Sequence, residues 1–409
     1  MSSKVIVIGA GAAGLMAAWK AAERGLEVQL LEKNDRIGKK ILISGKGRCN
    51  ITNSTDIEGL IRNIPGNGNF LYSSFYTFSN DDMIRLLNDE GLETKVERGG
   101  RVFPVSDRSK DVLRVLQRLV ERTGVDIRLN TAVDSIVTKE GAVLGVRLKN
   151  GKVLEAESVV LATGGASYPA TGSTGDGYRM AGKLGHSIVP LKPSLVPLVT
   201  AEKWIGELQG LSLKNISITM TDKTGRKIYS DFGEMLFTHF GVSGPVILSA
   251  SRHILPYDYK NVRLVIDLKP ALEEETLDAR IQRDFEKYSR KQFKNSLDDL
   301  LPQKIIPVII KLSKIDGEKP VNQITKAERR ALIMLLKKFT LEITGARPIT
   351  EAIVTAGGVS TDEINPSTMG SKIVKGLYLA GEVIDVDGYT GGFNLTIAFS
   401  TGVLAGLNC

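Results

Sequence analysis

The stretch that decides the fold of this 409-residue chain is Val5–Gly14, with the sequence VIVIGAGAAG. Its first four residues are an unbroken β-branched run, which is typical of a central parallel strand buried on both faces. A Gly-x-Gly-x-x-Gly turn follows at once and leads into an alanine-rich helical pattern that ends at Gly25. A second apolar run then ends at Glu32. The stretch therefore predicts a strand, a glycine turn, a helix, a second strand and an acid, in that order.

Each part of this unit has a task in binding a dinucleotide. Gly9 permits the tight turn, Gly11 lets the backbone approach a pyrophosphate, and Gly14 brings helix and strand together. The start of the helix presents unpaired N–H groups and a positive dipole end to the phosphates. Glu32 follows Gly14 by 18 residues, a spacing at which the acid accepts hydrogen bonds from a ribose hydroxyl. A glycine-rich turn without a ligand is the alternative, and the choice between NAD and FAD stays open at this point.

The composition predicts a soluble protein of two or three domains. The chain exceeds the length at which a single hydrophobic core stops growing. It has no apolar run of about 18 residues, and its N-terminus enters the first strand without room for a signal peptide. Cys49 and Cys409 have no metal-binding spacing, so we expect no metal site and a reducing cytoplasm. The net charge of +8 suits binding of anions or RNA, and equally an ordinary solvated surface.

A second glycine-rich segment follows the acid. Lys33, Lys39 and Lys40 precede Ser44–Asn50, which has the sequence SGKGRCN. Small residues let such a backbone wrap closely around a bulky ligand, while its N–H groups bind the oxygens of that ligand. A flexible surface loop is the alternative, and the position of the segment after the ribose-binding acid argues against it.

The remainder of the first half predicts further parts of a nucleotide-binding sheet. Ser158–Gly165 reads as a buried strand that runs into a Thr-Gly-Gly turn, and we expect it beside the first glycine turn. Asp176 is expected either to cap the helix that follows it or to frame a ligand pocket.

The chain changes character from about Leu191. Prolines there predict a linker, and the strand-like runs that follow predict a small inserted β-barrel or β-sheet. His239, one of only three histidines, lies in a compact polar turn of this insert. Ala271–Thr340 has a mostly helical pattern, with helix starts expected at Ser296 and at the capping box of Thr325. Its charges are mixed in sign, which is typical of a helical lobe rather than of an RNA clamp.

The end of the chain returns to the opening pattern. Ile353–Val359 precedes a second apolar run, Gly376–Glu382, which predicts a late strand of the first sheet. Gly391 and Gly392 directly precede another helical pattern, so they present a second helix start that attracts negative charge. A ligand bound at both helix starts must be long, with two phosphates at the first and an electron-rich ring at the second.

Several of these motifs together resemble those of a known family. The opening glycine turn, Leu161–Gly165 and Tyr378–Glu382 are similar to motifs of two-dinucleotide-binding-domain flavoproteins. Ser44–Asn50, Gly233–Pro245 and Asp385–Asn394 resemble more closely the BaiN/YhiN-type, aminoacetone-oxidase-like FAD-dependent oxidoreductases. The resemblance covers essentially the whole chain.

The resemblance implies an α/β fold with a Rossmann-like FAD-binding domain formed from both chain ends. That domain would comprise residues 1–190 and 347–409. Residues 191–346 would be an insert, with a small β-barrel over 191–270 and a helical lobe over 271–340.

The motifs and the resemblance together predict the FAD contacts, and Val133 is expected to meet the adenine through its backbone. The predicted cofactor-binding residues are Gly9, Gly11, Ala12, Ala13, Gly14, Glu32, Lys33, Lys39, Lys40, Ser44, Gly45, Gly47, Arg48, Cys49, Asn50, Val133, Thr163, Gly164, Gly381, Glu382, Gly391, Gly392, Phe393 and Asn394.

The leading hypothesis is an FAD-dependent oxidoreductase that transfers a hydride between a small organic substrate and flavin N5. NAD(P)H is a candidate transient reductant, and it would approach through the substrate cleft because the sequence has no second complete glycine-turn unit. His239 is the candidate acid and base, since the unperturbed pKa of histidine is near 6.5. The alternative is a histidine that only forms hydrogen bonds within the insert. For Cys49 the choice lies between a thiol near the flavin and an inert buried cysteine.

The second hypothesis is an RNA-associated protein that uses FAD in tRNA modification or as a structural ligand. The basic insert motivates it. Salt-sensitive binding of tRNA would distinguish it from the first hypothesis.

Overall fold

The computed structural model describes residues 3–409, which form two compact units. The first, which we call the two-ended unit, ends at Ser194 and resumes over Pro348–Cys409. The second, the inserted unit, is Leu195–Arg347. The chain therefore passes between the units once in each direction.

Strands occur throughout both units. Before the insert, the two-ended unit contains β1 (Lys4–Ile8), β2 (Glu27–Leu31), β3 (Thr52–Asn53), β4 (Thr94–Glu97), β5 (Arg101–Pro104), β6 (Asp126–Arg128), β7 (Val133–Lys139), β8 (Ala142–Leu148), β9 (Val153–Glu155), β10 (Ser158–Leu161) and β11 (Ile188–Ser194). The inserted unit contains β12 (Leu198–Thr200), β13 (Ser212–Asp222), β14 (Lys227–Phe237), β15 (Gly241–Ser243), β16 (Val262–Asp267) and β17 (Phe339–Ala346). The two-ended unit then adds β18 (Val354–Val359) and β19 (Leu377–Leu379).

The helices divide between the units in the same way. The two-ended unit begins with α1 (Ala12–Glu23), α2 (Lys39–Ile43), α3 (Ile57–Arg62), α4 (Tyr72–Thr77), α5 (Asn80–Asp89), α6 (Ser109–Arg122) and α7 (Asp176–Lys183). The inserted unit contains α8 (Pro245–His253), α9 (Glu274–Lys287), α10 (Ile306–Ser313) and α11 (Lys326–Lys337). The two-ended unit closes with α12 (Phe393–Asn408).

A five-stranded parallel sheet in the order β19-β10-β1-β2-β6 organises the two-ended unit. Val7 at its centre pairs with Val160 on one side and with Leu30 on the other, and all three side chains are fully buried. The β-branched run at the N-terminus therefore forms the central strand that the sequence predicts. Both halves of the chain contribute strands to this sheet, which confirms the Rossmann-like fold.

Helices α1 and α12 pack closely because small residues line their contact. A Cβ atom at Gly402 would lie only 2.3 Å from the carbonyl oxygen of Ala13, and one at Gly406 only 2.4 Å from that of Ala17. No larger residue fits at either glycine without moving a helix. The two chain ends are joined by this contact as well as by the sheet.

The proline-rich stretch near Leu191 is a strand and not the linker that its prolines predict. It is β11, which pairs antiparallel with β18 in a two-stranded sheet. Proline lacks an N–H donor and is tolerated at edge strands and bulges. Both conditions are met here, because β11 has a neighbour on one side only and its register shifts between Val189 and Lys192. Two smaller antiparallel sheets, β3-β5-β4 and β7-β8-β9, complete the unit.

The inserted unit is built on a closed six-stranded antiparallel barrel in the order β12-β15-β14-β13-β16-β17. Alternate residues of β13 point inward, so that Ile216, Ile218 and Met220 are buried while the residues between them reach the surface. This confirms the inserted barrel. The barrel is closed by β17, which begins at Phe339 within the stretch predicted to be helical.

The helical part of the inserted unit contains α9, α10 and α11. Thr325 caps α11 as predicted, with its hydroxyl accepting the Glu328 N–H at 3.2 Å while its own N–H donates to the Glu328 carboxylate at 2.7 Å. Ser296 starts no helix, because its hydroxyl donates to the Phe293 carbonyl at 2.8 Å and closes the preceding turn. In residues 3–409 no helix is both long and apolar enough to cross a membrane.

Candidate functional site

The site is a cleft in the two-ended unit at the carboxyl ends of β1, β2, β10 and β19. At its floor, the glycine turn makes contacts that only glycine allows. A Cβ atom at Gly14 would lie 1.8 Å from the Gly9 carbonyl oxygen, and one at Gly9 would lie 2.6 Å from that of Ala162. Gly11 differs, because nothing lies within 4 Å of the position its Cβ atom would take. The turn is closed against the protein and open toward the cleft.

Helix α1 begins at this opening without a side-chain cap. Gly11 occupies the N-cap position and has no side chain that could cap the helix. The Leu15 N–H donates to the Gly11 carbonyl at 3.0 Å, one turn earlier. The N–H groups ahead of Leu15 in the helix have no carbonyl one turn earlier, and the dipole adds partial positive charge. The helix start therefore suits a phosphate.

Glu32 is the buried acid at the end of β2, with 7% of its surface exposed. Its carboxylate accepts the Ala10 N–H at 2.9 Å, the Asn34 N–H at 2.9 Å and the Asn34 side-chain amide at 2.7 Å. These donors orient the carboxylate: Oε1 accepts both bonds from Asn34, and Oε2, which accepts only the Ala10 N–H, retains a lone pair for a sugar hydroxyl. Asn34 was not among the predicted site residues, although its place two residues after the acid is a recognisable signal for such a bond.

Most of the predicted cofactor residues line this one cleft. They are Gly9, Gly11, Ala12, Ala13, Glu32, Lys33, Lys39, Lys40, Ser44, Val133, Thr163, Gly164, Gly381, Glu382 and Asn394. Gly14 supports the cleft from below through its contact with Gly9. The other predicted residues lie outside the lining, in the loops beside it. They are Gly45, Gly47, Arg48, Cys49, Asn50, Gly391, Gly392 and Phe393.

An ion pair joins the two ends of the chain across the cleft. The Lys40 ammonium lies 2.7 Å from the Glu382 carboxylate and donates to the Ser167 hydroxyl, also at 2.7 Å. Glu382 also accepts the Ser167 hydroxyl at 3.0 Å and the Thr355 N–H at 2.8 Å. Four separate segments are thereby held in one polar network. Ser167 and Thr355 were not among the predicted site residues; no local pattern marks Ser167, and Thr355 lies within an apolar run of the sequence.

Tyr178 supports the same network from α7. Its hydroxyl donates to the Glu382 carbonyl oxygen at 3.0 Å. Burial, together with the negative charge of Glu382, raises the pKa of Tyr178 well above its usual value. The phenol therefore stays protonated and remains a donor.

Asp176 lies beside Lys33 and does not cap α7. Gly175 occupies the N-cap position, and Asp176 is the first residue of the helix. The Lys33 ammonium lies 2.7 Å from the Asp176 carboxylate and also donates to the Thr174 hydroxyl at 2.5 Å. Burial opposes ionisation of Asp176, but the hydrogen bond and charge of Lys33 outweigh it and lower the pKa of the carboxyl. Both charged residues line the cleft.

The Ser44–Asn50 loop is held in an uncommon backbone conformation. Gly45, Lys46, Gly47 and Cys49 all have positive φ angles, between 56° and 86°. The side chain of Arg48, a predicted cofactor-binding residue, bonds to the Glu97 and Asp107 carboxylates, 2.6 Å from the latter. It also lies over the Phe103 ring, 4.1 Å from the centroid. Through its side chain, Arg48 therefore ties the loop to β5 and its neighbourhood.

Cys49 and Asn50 complete the inner side of this loop. Cys49 is fully buried, and burial raises its pKa to about 11, so the thiol stays neutral. With its amide oriented to satisfy both neighbours, Asn50 donates to the Thr52 carbonyl at 3.2 Å and accepts the Gly392 N–H at 3.0 Å. The loop is thereby tied to the start of α12.

The glycines before α12 are required by close backbone contact. A Cβ atom at Gly392, whose φ is 102°, would lie 2.3 Å from the Thr52 carbonyl oxygen. Asn394 closes the preceding loop, because its amide accepts the Gly388 N–H at 2.9 Å and donates to the Gly388 carbonyl at 2.8 Å. The polar atoms of Asn394 thus define the loop, while the residue borders the cleft.

His239 lies in the inserted unit, in the turn between β14 and β15. Its side chain is exposed, and its ring meets Phe240 edge-on with centroids 5.0 Å apart. Within residues 3–409 the ring has no hydrogen-bond partner, in contrast to the alternative that it bonds within the insert. The neighbouring Thr238 hydroxyl is buried and also lacks a partner in this part of the chain.

The cleft has the hydrogen-bond donors and acceptors that FAD requires. The open side of Gly11 and the start of α1 would receive the pyrophosphate, and Glu32 would bind the ribose. The Thr163 hydroxyl is buried in the cleft lining and has no hydrogen-bond partner among residues 3–409, so a bound ligand could supply one. These observations fit the FAD that the sequence resemblance implies.

Comparisons with known proteins agree with this fold. The HI0933-like protein Rossmann domain matches residues 3–408. A 3-dehydro-bile acid delta(4,6)-reductase of Clostridium scindens is 33% identical over 99% of this chain and 98% of its own length. A ribosomal RNA dihydrouridine synthase of Escherichia coli is 32% identical over 97% of this chain and 95% of its own length. A flavocytochrome c3 fumarate reductase in its open conformation has a similar fold, with a TM-score of 0.54 and 18% identity over the whole of this chain and 78% of that one.

The match extends over the two-ended unit and the inserted unit alike. The full-length relatives have the same extent, so the insert is a common feature of these proteins and not an addition to this chain. The chain belongs to the HI0933-like protein Rossmann-domain family.

Proposed function

We propose that this protein is an FAD-dependent reductase that saturates a carbon–carbon double bond conjugated to a carbonyl group. The observation that carries the proposal is the single cleft lined by both chain ends, from the glycine turn and Glu32 to Glu382 and the start of α12. FAD, when bound, would supply hydride chemistry at N5 of its reduced ring. The β-carbon of the substrate receives the hydride and the α-carbon receives a proton, so the double bond gains two hydrogens while the flavin is oxidised.

The names of the relatives support this reaction type. The Δ4 and Δ6 double bonds of a 3-dehydro bile acid are conjugated to the 3-oxo group. Dihydrouridine is uridine whose ring double bond, conjugated to a carbonyl, is saturated. The two substrates differ greatly in size and charge, but the bond reduced is of one kind. We therefore assign the reaction class to this oxidoreductase and treat a small conjugated ketone as its first candidate substrate.

The residues of the cleft would hold the cofactor in a fixed position. The start of α1 would bind the pyrophosphate, and Glu32 would bind the ribose. Lys40 and Glu382 would keep the two sides of the cleft together through their ion pair. The start of α12 would place positive dipole charge near the electron-rich ring.

His239 is our candidate proton donor to the substrate α-carbon. It is exposed and has no hydrogen-bond partner among residues 3–409, so its proton is not already committed to the protein. Histidine is the side chain that most often serves as a general acid in proton transfer. His239→Gln should slow reoxidation of reduced flavin by substrate about 100-fold and leave its reduction unchanged. Equal rates in both proteins would remove the role.

A nicotinamide dinucleotide is the proposed reductant. The sequence has one glycine-turn unit of the required kind, so the reductant and the substrate would use the same face of the flavin in turn. Ping-pong kinetics are the expected consequence. A reducing cytoplasm is the proposed location, in keeping with the free thiols of Cys49 and Cys409.

Anaerobic flavin spectroscopy tests the proposed reaction. The purified protein should be yellow, lose its colour with NADH or NADPH, and regain it when a conjugated enone is added. The saturated ketone of the same skeleton is the matched control and should leave the flavin reduced. The proposal fails if the flavin stays reduced with a panel of ring enones and dienones and with uridine in RNA.

Uridine in RNA is the second candidate substrate. The E. coli relative favours it by name, and the inserted unit has 25 Lys and Arg residues against 19 Asp and Glu residues. Deleting the gene should then remove dihydrouridine from ribosomal RNA, and the purified protein with NADPH should restore it. Unchanged dihydrouridine in the deletion strain would exclude this substrate.

A further inference from the structure

Four exposed cations gather at one end of the barrel. They are Lys223, Lys227, Lys260 and Arg263, which we call the basic edge, and none of them forms an ion pair with any residue of 3–409. Lys227 and Arg263 lie on either side of Thr221, since each pairs with that residue across neighbouring strands. Strands are about 4.8 Å apart, so the two Cα atoms are separated by roughly 10 Å. Lys223 lies in the adjoining turn, and Lys260 lies just before β16.

The carboxylates beside the basic edge neutralise little of its charge. Asp222 is buried, and its hydrogen bonds to Thr224 and Arg226 lower the pKa of its carboxyl. Asp267 lies at the other end of β16 and pairs with Lys337 at 2.6 Å. Glu342 is exposed and lies opposite Arg263 on β17. Glu342 and the exposed Asp258, two residues before Lys260, are carboxylates that oppose binding of an anion at this edge.

The outer face of the barrel continues from the basic edge as a row of hydroxyls that ends at an aromatic ring. Ser230 pairs with Thr219, and Phe232 pairs with Ser217, all on the same face as Thr221. Phe232 is 51% exposed, which is uncommon for a phenylalanine in a sheet. Cations, hydroxyls and one exposed ring therefore follow one another along a single surface.

We propose that this surface binds single-stranded RNA. Phosphates would lie at the basic edge, ribose hydroxyls would meet the serine and threonine hydroxyls, and a base would stack on Phe232. Charge complementarity selects a polyanion, and the exposed ring selects one with free bases. This inference rests on the RNA form of the proposed function, because it assigns a docking surface to that substrate.

Salt-dependent binding of a labelled oligouridylate of about 12 nucleotides to the full-length protein tests the surface. The edge variant is Lys223→Gln/Lys227→Gln/Arg263→Gln. Each phosphate contact contributes about 0.7 to the slope of log K against log salt, so the triple change should lower the slope by about 2 and the affinity roughly 100-fold at 0.1 M salt. The matched control, Lys311→Gln/Lys326→Gln/Arg330→Gln, removes the same charge from exposed positions on α10 and α11 and should bind nearly as the unchanged protein does.

Two single substitutions separate stacking from charge. Phe232→Ala should lower the affinity about 10-fold without changing the salt slope, while Phe232→Tyr should retain binding. Glu342→Gln should raise the affinity, because it removes the carboxylate opposite Arg263. Thermal unfolding of each variant shows whether the barrel remains folded.

Several results would overturn the inference. One is an equal loss of affinity in the edge variant and in the control variant, and another is no binding of the oligouridylate by the unchanged protein at low salt. Tighter binding of an RNA duplex than of the single strand would also contradict it. So would edge-dependent binding of anionic lipid vesicles instead of RNA. The enone assay keeps the two proposals distinct. Enone reduction without RNA binding would refute only the docking surface, whereas edge-dependent RNA binding with a flavin that no conjugated bond reoxidises would refute only the reaction.

Discussion

Replacing Gly11 by alanine should weaken cofactor binding without lowering the stability of the folded protein. The backbone at Gly11 has φ −85° and ψ −168°, which an alanine adopts without strain. Nothing lies within 4 Å of the added Cβ atom. The methyl group would therefore occupy only the open space that the pyrophosphate is proposed to take.

The magnitudes follow from this geometry. The unfolding free energy of the cofactor-free protein should change by less than about 1 kcal/mol, with a slight gain because alanine restricts the unfolded chain. FAD binding should weaken by about 3 kcal/mol, since one or two hydrogen bonds to a charged phosphate would be lost. That loss corresponds to roughly 100-fold in affinity.

Gly14→Ala is the contrasting variant. Its Cβ atom would lie 1.8 Å from the Gly9 carbonyl oxygen whether or not a cofactor is bound. Helix α1 must then shift against β1, at a cost of about 1–3 kcal/mol or more. This variant should lose stability as well as FAD.

The assay combines urea unfolding of the cofactor-free proteins with titration of FAD by its fluorescence. We expect Gly11→Ala to lose affinity alone and Gly14→Ala to lose both affinity and stability. Unchanged FAD affinity in Gly11→Ala would refute the assignment of the α1 start to the pyrophosphate. A large loss of stability in the same variant would refute the claim that the space beside Gly11 is open.

Three further predictions concern the loop, the pH dependence and the inserted unit. Arg48→Gln should release the strained Ser44–Asn50 loop and weaken FAD binding about 10-fold, because the bonds to the Glu97 and Asp107 carboxylates are lost. Limited proteolysis should show new cleavage in that loop, and an unchanged cleavage pattern would contradict the role of Arg48 in holding it. Burial lowers the pKa of His186 despite its bond to Glu363, so below about pH 6.5 the unfolded chain takes up a proton that the folded protein resists. The unfolding free energy should therefore fall by up to about 1.4 kcal/mol for each pH unit. Urea unfolding between pH 7 and pH 5 should show this slope, and His186→Gln should lack it. Thr325→Ala removes the hydroxyl that takes part in the capping box. The unfolding free energy, measured by thermal unfolding, should fall by about 1 kcal/mol, and Thr325→Ser should retain most of it.

Local patterns in the sequence were reliable where neighbouring residues decide the structure. The run Val5–Ile8 forms the central strand, because only a fully buried position favours four β-branched or apolar residues in succession. The capping box at Thr325 forms as expected, since both of its partners lie within one turn of helix. Gly9 and Gly14 of the first turn also occupy crowded positions, and Gly11 faces the open cleft, as their spacing indicates.

Patterns were less reliable where the outcome depends on residues far away in the chain. Pro190 and Pro193 belong to a strand, because β18 pairs with it on one side only and leaves the other free for proline. Arg48 turns to Glu97 and Asp107, two carboxylates that fall within reach only after the loop has folded against β5. The local sequence contains no sign of either partner.

The sequence by itself therefore determined the Rossmann-like fold, the inserted barrel and a dinucleotide cleft, because strand burial, helix capping and tight turns are set within a few residues. Only the tertiary structure decided which side chains meet in that cleft. The Lys40–Glu382 ion pair joins residues 342 positions apart, and Ser167 and Thr355 enter the same network from two further segments. Such a network depends on the parallel sheet bringing the carboxyl ends of distant strands to one edge, and no local pattern encodes that distance.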